Sequence, residues 1–236
     1  MKRTRFAASS LAVLLAVASL GSCVSTKKYK ELEASKNALE QEKAAAQRSL
    51  EEANASVRDR DAKLAQYQQQ IAQKEKILNE LRASVNEALS GFKEQGLTVN
   101  VRDGKVYVTM PEKLLFATGS TKVNPNGQNA LGKLANAIKG QRDTEIVVEG
   151  HTDDVAVASA NVTYKDNWDL SVLRATEVTR LLINNGVAPQ MIVPAGRGQY
   201  TPLAMTRTPE ARQSNRRTEI ILAPNFEKIL NLLQND

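Results

Sequence analysis

Few places in this chain could do chemistry. His151-Thr152-Asp153-Asp154 follows directly on Glu145 to Gly150, an apolar run centred on Ile146-Val147-Val148, and the ends of such strands commonly present ligand groups. Asn167-Trp168-Asp169-Leu170-Ser171-Val172-Leu173-Arg174-Ala175 opens a helical stretch, and Asn215-Arg216-Arg217 precedes another apolar run. A carboxylate at Asp153 can accept from an ammonium, and a guanidinium at Arg174 can grip a carboxylate through two parallel hydrogen bonds. The structural alternatives are a turn cap for Asp153 and a surface ion pair for Arg174. His151, the single histidine, is assigned to a local backbone or sheet contact rather than a metal. Asp154 reads as a solvated loop residue, Asn167 as a helix cap and Trp168 as a partly buried anchor. Arg216 either borders a pocket or pairs with an acid on the sheet, and Phe116 is expected in the core.

Hydrolysis finds little equipment here. There is no second histidine for a zinc pair and no Gly-x-Ser-x-Gly elbow. The adjacent carboxylates Asp153 and Asp154 need not face one bond from opposite sides, as glycoside cleavage requires. The residues therefore predict a protein that is not an enzyme and that needs no cofactor and no metal. A hydrolase and a scaffold that binds a protein partner remain as alternatives.

The elements that must position these residues lie beyond Ser90. Val24 to Ser90 contains neither Gly nor Pro and is rich in Ala, Gln, Glu and Lys, so the folded core must come from the residues after Ser90. Leu97, Val99 and Val101, then Val106, Val108 and Met110, alternate with polar residues around Asp103-Gly104, which predicts a hairpin with a tight primed turn. Asn124 and Pro125 can open a helix carrying Leu131, Leu134, Ala135 and Ile138, stopped at Gly140. A strand over 145–150, a helix from Asn167 with Leu170, Leu173, Val178, Leu181 and Leu182, and strands over 191–195 and 218–222 complete the series. That order predicts an α+β fold, a two-layer mixed β-sheet with packed helices of βαβαβ type, preceded by a long N-terminal α-helix or coiled coil. After Pro224, Phe226, Ile229, Leu230 and Leu233 fall at helical spacing, an amphipathic helix over 225–236 that packs on its own domain or meets a partner.

Upstream, Leu50, Val57, Leu64, Ile71, Leu78 and Val85 recur every seven positions, a coiled-coil seam. Its companion seam, Ala53, Arg60, Tyr67, Lys74, Leu81 and Ala88, is weak, and the step from Ala46 to Leu50 is a stutter from the earlier Leu32, Leu39 and Ala46. One helix over 26–90 would span roughly 100 Å. The alternative is a partly disordered segment that becomes helical on self-association. Either serves as a spacer over 23–94, and a coiled coil also implies a homo-oligomer. The formal charge of +6 shrinks once Lys2, Arg3 and Arg5, all ahead of Cys23, are set aside. With aromatics at 4% and no basic patch interleaved with them, nucleic acid is excluded as a partner.

Residues 1–22 read as an export signal, with an apolar run too short for the ~20 residues a spanning helix needs. Leu20-Gly21-Ser22-Cys23 resembles a bacterial lipobox, which implies lipidation of Cys23 and a membrane anchor; a free buried thiol is the alternative. Val24 is not the aspartate that commonly retains lipoproteins in the inner membrane, so the resemblance favours the outer membrane.

Taken together, His151 to Asp154 and Asn167 to Ala175 resemble the signature of the OmpA-like domain, the peptidoglycan-binding module of outer-membrane porins, peptidoglycan-associated lipoproteins and flagellar-motor stator proteins. Phe116-Ala117-Thr118-Gly119 and Asn215-Arg216-Arg217 also fit, and the resemblance covers about residues 95 to 224. It implies that Asp153 and Arg174 bind the meso-diaminopimelate of the stem peptide, a ligand end carrying an ammonium and a carboxylate. Phe116, Ala117, Thr118, Asn167 and Arg216 would border that site, with the Ala117 and Thr118 backbone offering hydrogen bonds. The long segment from Val155 to Asp166 is similar to the stator version of the domain, whereas the leader and lipobox argue against a stator. The whole reading is a lipid-anchored outer-membrane protein whose domain faces the periplasm and tethers the membrane to peptidoglycan.

Overall fold

The computed structural model describes residues 25–141, 143–157 and 164–226. The export signal, Cys23 and the tail positions Ile229, Leu230 and Leu233 lie outside the described residues. The chain divides into two units, Met1–Gln66 and Tyr67–Asp236.

The long helix α1, Thr26–Ala88, contributes to both units, and its apolar stripe behaves differently in each. In the first unit Leu32, Leu39, Leu50, Val57 and Leu64 are between 54% and 70% exposed. Around them lie helix-spaced ion pairs, Lys63 to Asp59 at 2.8 Å and Lys36 to Glu40 at 3.7 Å. Being solvated, such pairs add only a few tenths of a kcal/mol each. In the second unit the same stripe finds a partner. Leu78, Leu81 and Val85 are buried and join the core with Leu89, Phe92 and Leu97. A 3-10 turn, Ser90–Gln95, then ends at Gly96, whose φ of +89° closes the helix in the left-handed region.

The predicted hairpin is present as β1, Thr98–Arg102, and β2, Lys105–Pro111. Asp103 and Gly104 hold φ of 51° and 69°, the positive pair that a type I′ turn needs. Val106, Val108 and Met110 are fully buried, while Val101 on the edge strand is 37% exposed. A four-residue helix, α2 (Glu112–Leu115), comes next and leads to Phe116, which bridges to Val123. Helix α3, Pro125–Ile138, starts as the sequence predicts, with the Asn124 side chain accepting from Gly127 N at 2.8 Å. Then come β3, Thr144–His151, α4, Asn167–Asn184, β4, Ile192–Gly198, α5, Pro209–Asn215, and β5, Arg217–Pro224.

The five strands form one mixed sheet in the order β1-β2-β5-β3-β4, with β3 and β4 parallel and the other pairs antiparallel. This is the α+β architecture the element order predicts. Helix α4 is the crossover between the parallel strands, and two glycines set how closely it lies. A Cβ on Gly150 would stand 2.2 Å from Ser171 O, and one on Gly196 would stand 2.4 Å from Val172 Cγ2. Because both strands lack that atom, the first two turns of α4 rest directly on β3 and β4. The core fills the same face, with Ile146, Val148, Ile220 and Leu222 of the sheet against Leu131, Leu134, Val178 and Leu182 of the helices.

Candidate functional site

Close packing of α4 decides the site. Asp153 leaves the end of β3, and Arg174 comes off the second turn of α4, so seating that turn on Gly150 brings the two side chains to one cleft. The cleft has a volume of about 620 Å³ and is lined by Asp153, Arg174, Arg216, Thr118 and Asn167, among others. Both members of the expected pair are buried, Asp153 at 8% exposure and Arg174 at 3%.

They are joined by charge rather than by direct contact. Arg174 Nη2 lies 2.6 Å from Glu112 Oε1, Arg216 Nε lies 2.6 Å from Glu112 Oε2, and Arg216 Nη1 lies 2.5 Å from Asp153 Oδ2. The alternating row Arg174, Glu112, Arg216, Asp153 is neutral in sum. Arg174 is fixed further by donating Nε to Ser120 O at 3.1 Å and by lying over the Phe116 ring, 5.0 Å from its centroid. Asp153 Oδ1 accepts from Val155 N at 3.0 Å, which closes a short turn and aims the other oxygen at Arg216. A buried arginine held on three sides is a fixed fork. Arg216, with its side chain 34% exposed, is the member of the row that solvent reaches.

The other expected residues divide. Phe116 is buried and supports Arg174, as a core residue should. Thr118 lines the cleft, and Ala117 lines an adjoining hollow of about 390 Å³ that shares Glu112, Thr118 and Arg216 with it. Arg216 does both things the sequence left open, although its acids come from loops and α2 rather than from the sheet. Asp154 is in the loop but is not merely solvated: it accepts from Arg212 Nε at 2.8 Å and lies 3.3 Å from Arg207 Nε.

One expectation is corrected. Asn167 is not the cap of α4; Asp166 is, its side chain accepting from Asp169 N at 3.0 Å. Asn167 is instead the first helical residue, and its Nδ2 reaches Asp153 O at 3.3 Å, Val155 O at 3.0 Å and Gln199 Oε1 at 2.8 Å. Those acceptors come from distant chain segments and outcompete the local helix end. Asn167 therefore ties down the loop that carries Asp153. Trp168 is partly buried, 46% exposed and stacked on Tyr200 with ring centroids 5.2 Å apart.

Sequence reasoning missed Glu112, Thr152 and Tyr164. Tyr164 OH donates to Gly119 O at 3.0 Å and closes one side of the cleft. Thr152 also lines it, with a buried Oγ1 that has no hydrogen-bond partner. A buried hydroxyl without a partner is costly. For Glu112 the only signal was indirect, since a buried Arg174 requires an acid and no local motif says which.

The arrangement is a cleft with matched acid and base poles beside the mixed sheet. The model of the OmpA family matches residues 115–216. The chain is 31% identical over 139 residues to the outer-membrane lipoprotein YfiB of Pseudomonas aeruginosa, a match covering 58% of this chain and 76% of that one. It is 28% identical over 149 residues to motility protein B of Bacillus subtilis, covering 62% of this chain and 56% of that protein. The first curated relatives are thus matched over less than two thirds of their own length. Among solved structures, the cell wall anchor of the T6SS from Pseudomonas aeruginosa superposes with a TM-score of 0.55 at 30% identity, over 60% of this chain and 97% of that one. This chain belongs to the OmpA family. Among the described residues no helix is long and apolar enough to cross a membrane.

Proposed function

We propose that the protein is a non-enzymatic lipoprotein of the outer membrane. Its domain faces the periplasm and holds peptidoglycan non-covalently through the diaminopimelate of the stem peptides. The observation that carries this reading is the neutral row of two acids and two guanidiniums along one cleft. The free end of diaminopimelate is a zwitterion, so it can replace the row's internal pairs without a net change of charge. Its carboxylate would take the face of Arg174 now turned to Glu112, and its ammonium would take Asp153, with Arg216 moving aside because it is the exposed member. Each charge-assisted bond adds about 1.5 to 3 kcal/mol, so two or three give a modest affinity per site. Many copies anchored on one polymer supply the remainder by avidity.

Co-sedimentation of the full chain with diaminopimelate-type peptidoglycan tests the site. Asp153→Asn and Arg174→Ala should each abolish it, and peptidoglycan carrying lysine in that position should not be pulled down. Retained sedimentation in both variants rejects the site, and release of soluble wall fragments would favour a hydrolase. For the anchor, the mass of the mature protein should show loss of residues 1–22 and added acyl chains on Cys23. An unmodified Cys23 rejects that part. Self-association through the exposed stripe from Leu32 to Leu64 is read by sedimentation velocity, in which a monomer at all concentrations would oppose it.

A further inference from the structure

Away from the helices, the open face of the sheet carries a second group of charged side chains. Glu149 on β3 stands directly opposite Glu219 on β5 in the antiparallel ladder. Like charges in that position repel, and these two are only 9% and 4% exposed. His151, two residues on along β3, shares their face and is 4% exposed. One ligand atom from each of the three lies within 4.8 Å of the others.

His151 supplies a separate observation. Its Nδ1 is 2.9 Å from Thr201 Oγ1, while its Nε2 is buried, makes no hydrogen bond and stands 3.6 Å from Glu149 Oε2. Burial, reinforced by Arg217, Arg197 and Arg102, pushes the ring's pKa down to about 3, so the imidazole is neutral. When Nδ1 carries the proton and donates it to Thr201, the bare lone pair of Nε2 faces a carboxylate. A proton on Nε2 or a cation between the two groups turns that contact attractive.

We propose that Glu149, His151 and Glu219 bind a divalent transition-metal ion of the zinc type. The ligands are His151 Nε2 and a carboxylate oxygen from each glutamate, and water completes the shell. One imidazole with two carboxylates is a donor set that zinc accepts. The Thr201 contact is the outer partner that orients a ligating histidine. Two of the arginines now on these glutamates can leave. Arg197, on Glu149 at 2.6 Å, and Arg102, on Glu219 at 3.4 Å, have side chains 51% and 53% exposed. Arg217 stays, buried at 2.8 Å from the same Glu219. A hollow of about 690 Å³, lined by the three ligands and the three arginines, gives Arg197 and Arg102 room to swing away. Ligand atoms on one zinc ion lie no more than about 4 Å apart, so the glutamates close inward by about an ångström.

Zinc chloride alone, titrated into chelator-treated full-length protein, tests this. Calorimetry should give one ion per chain. The imidazole Nε2 resonance, unambiguous because the chain has one histidine, should move in step with the first equivalent. His151→Gln and Glu149→Gln should each weaken binding at least ~10-fold, and Thr201→Val by about 10-fold. No stoichiometric binding, or stoichiometric binding with a stationary Nε2 resonance, overturns the proposal. The resonance is read on the unaltered chain, so a variant that fails to fold does not blunt the test.

Discussion

Two charged clusters lie two residues apart along the chain and do different work. His151, with Glu149, Glu219 and Arg217, sits in the strand ladder itself, where register fixes which side chain faces which. Asp153, with Glu112, Arg216 and Arg174, sits beyond the strand ends, on loops, a short helix and the face of α4. In the ladder the carboxylates and Arg217 are about 95% buried at the side chain or close to it, and the partners that can move are Arg102 and Arg197 at the rim. In the cleft one guanidinium is buried and the other is a third exposed. Similar ion pairs are therefore held in two ways. In the ladder, register and burial fix Arg217 on Glu219, whereas past the strand ends Arg216 is held only by a loop and a short helix.

The sharpest way to break that contrast is to remove one arginine from each cluster. Arg217→Met leaves Glu219 buried with only the half-exposed Arg102 at 3.4 Å, and also loses the bonds to Asn215 O and Thr201 O. Breaking a buried pair in this way costs about 3 to 5 kcal/mol, which urea unfolding should register as a lower midpoint at unchanged slope. Arg216→Met should cost less than Arg217→Met, because its own side chain is 34% exposed, although it leaves the buried Asp153 without its ion-pair partner. It should leave peptidoglycan sedimentation intact or raise it, because the ammonium of the ligand no longer has to displace Arg216 from Asp153. If the two variants unfold alike, the distinction between the clusters fails.

Next in size is Arg174→Lys. The charge survives, but a lysine cannot keep both the Ser120 carbonyl and a bidentate carboxylate grip. Binding should fall at least ~10-fold, a loss of one charge-assisted bond, with residual sedimentation that salt removes. Binding equal to wild type would mean that a point charge suffices and that the fork geometry is irrelevant.

The contrast also explains what could be read from the residues alone. Asp153 and Arg174 were singled out by the resemblance of the segments around them to the OmpA-like signature, and the structure brings both to one cleft. The hairpin was legible from a local signal, since Asp103-Gly104 has few other conformations to adopt. Glu112 was not, because its role depends on where α2 carries it relative to a buried arginine far along the chain. Asp166 and Asn167 are both good caps, and only the three acceptors around Asn167, all brought in by tertiary structure, decide between them. The heptad shows the same limit. Periodicity identified one continuous apolar stripe, but not that Leu78 and Val85 would be covered by their own domain while Leu50 and Val57 stay exposed.

A subtler probe of the cleft is Thr152→Val, which keeps the shape and deletes a hydroxyl that has no partner within the protein. Removing a polar group that bonds to nothing should leave stability unchanged or raise it slightly. If the hydroxyl is used by the ligand, peptidoglycan affinity should fall by a few-fold, while Thr152→Ser should retain it. Equal affinity in all three proteins would mean that the ligand does not reach the hydroxyl.

The smallest effect is expected one residue beyond Asp153. Asp154 is paired with Arg212 and, more loosely, Arg207, whose side chain is 83% exposed. The hydrogen bond from Arg212 holds the Asp154 carboxyl below its ordinary value of 3.8. A depressed carboxyl means that the folded chain takes up a proton less readily than the unfolded one. The pair's contribution is therefore present above the ordinary carboxylate range and fades as pH falls through the depressed value. Because the pair is open to water, salt screens it. Arg212→Ala should return the Asp154 titration, followed by its side-chain carbon resonance, toward 3.8 while the melting temperature at neutral pH stays unchanged. A clear drop in melting temperature would show that a surface pair here matters as much as the ladder's buried ones, and the ranking of the charged groups by burial would no longer hold.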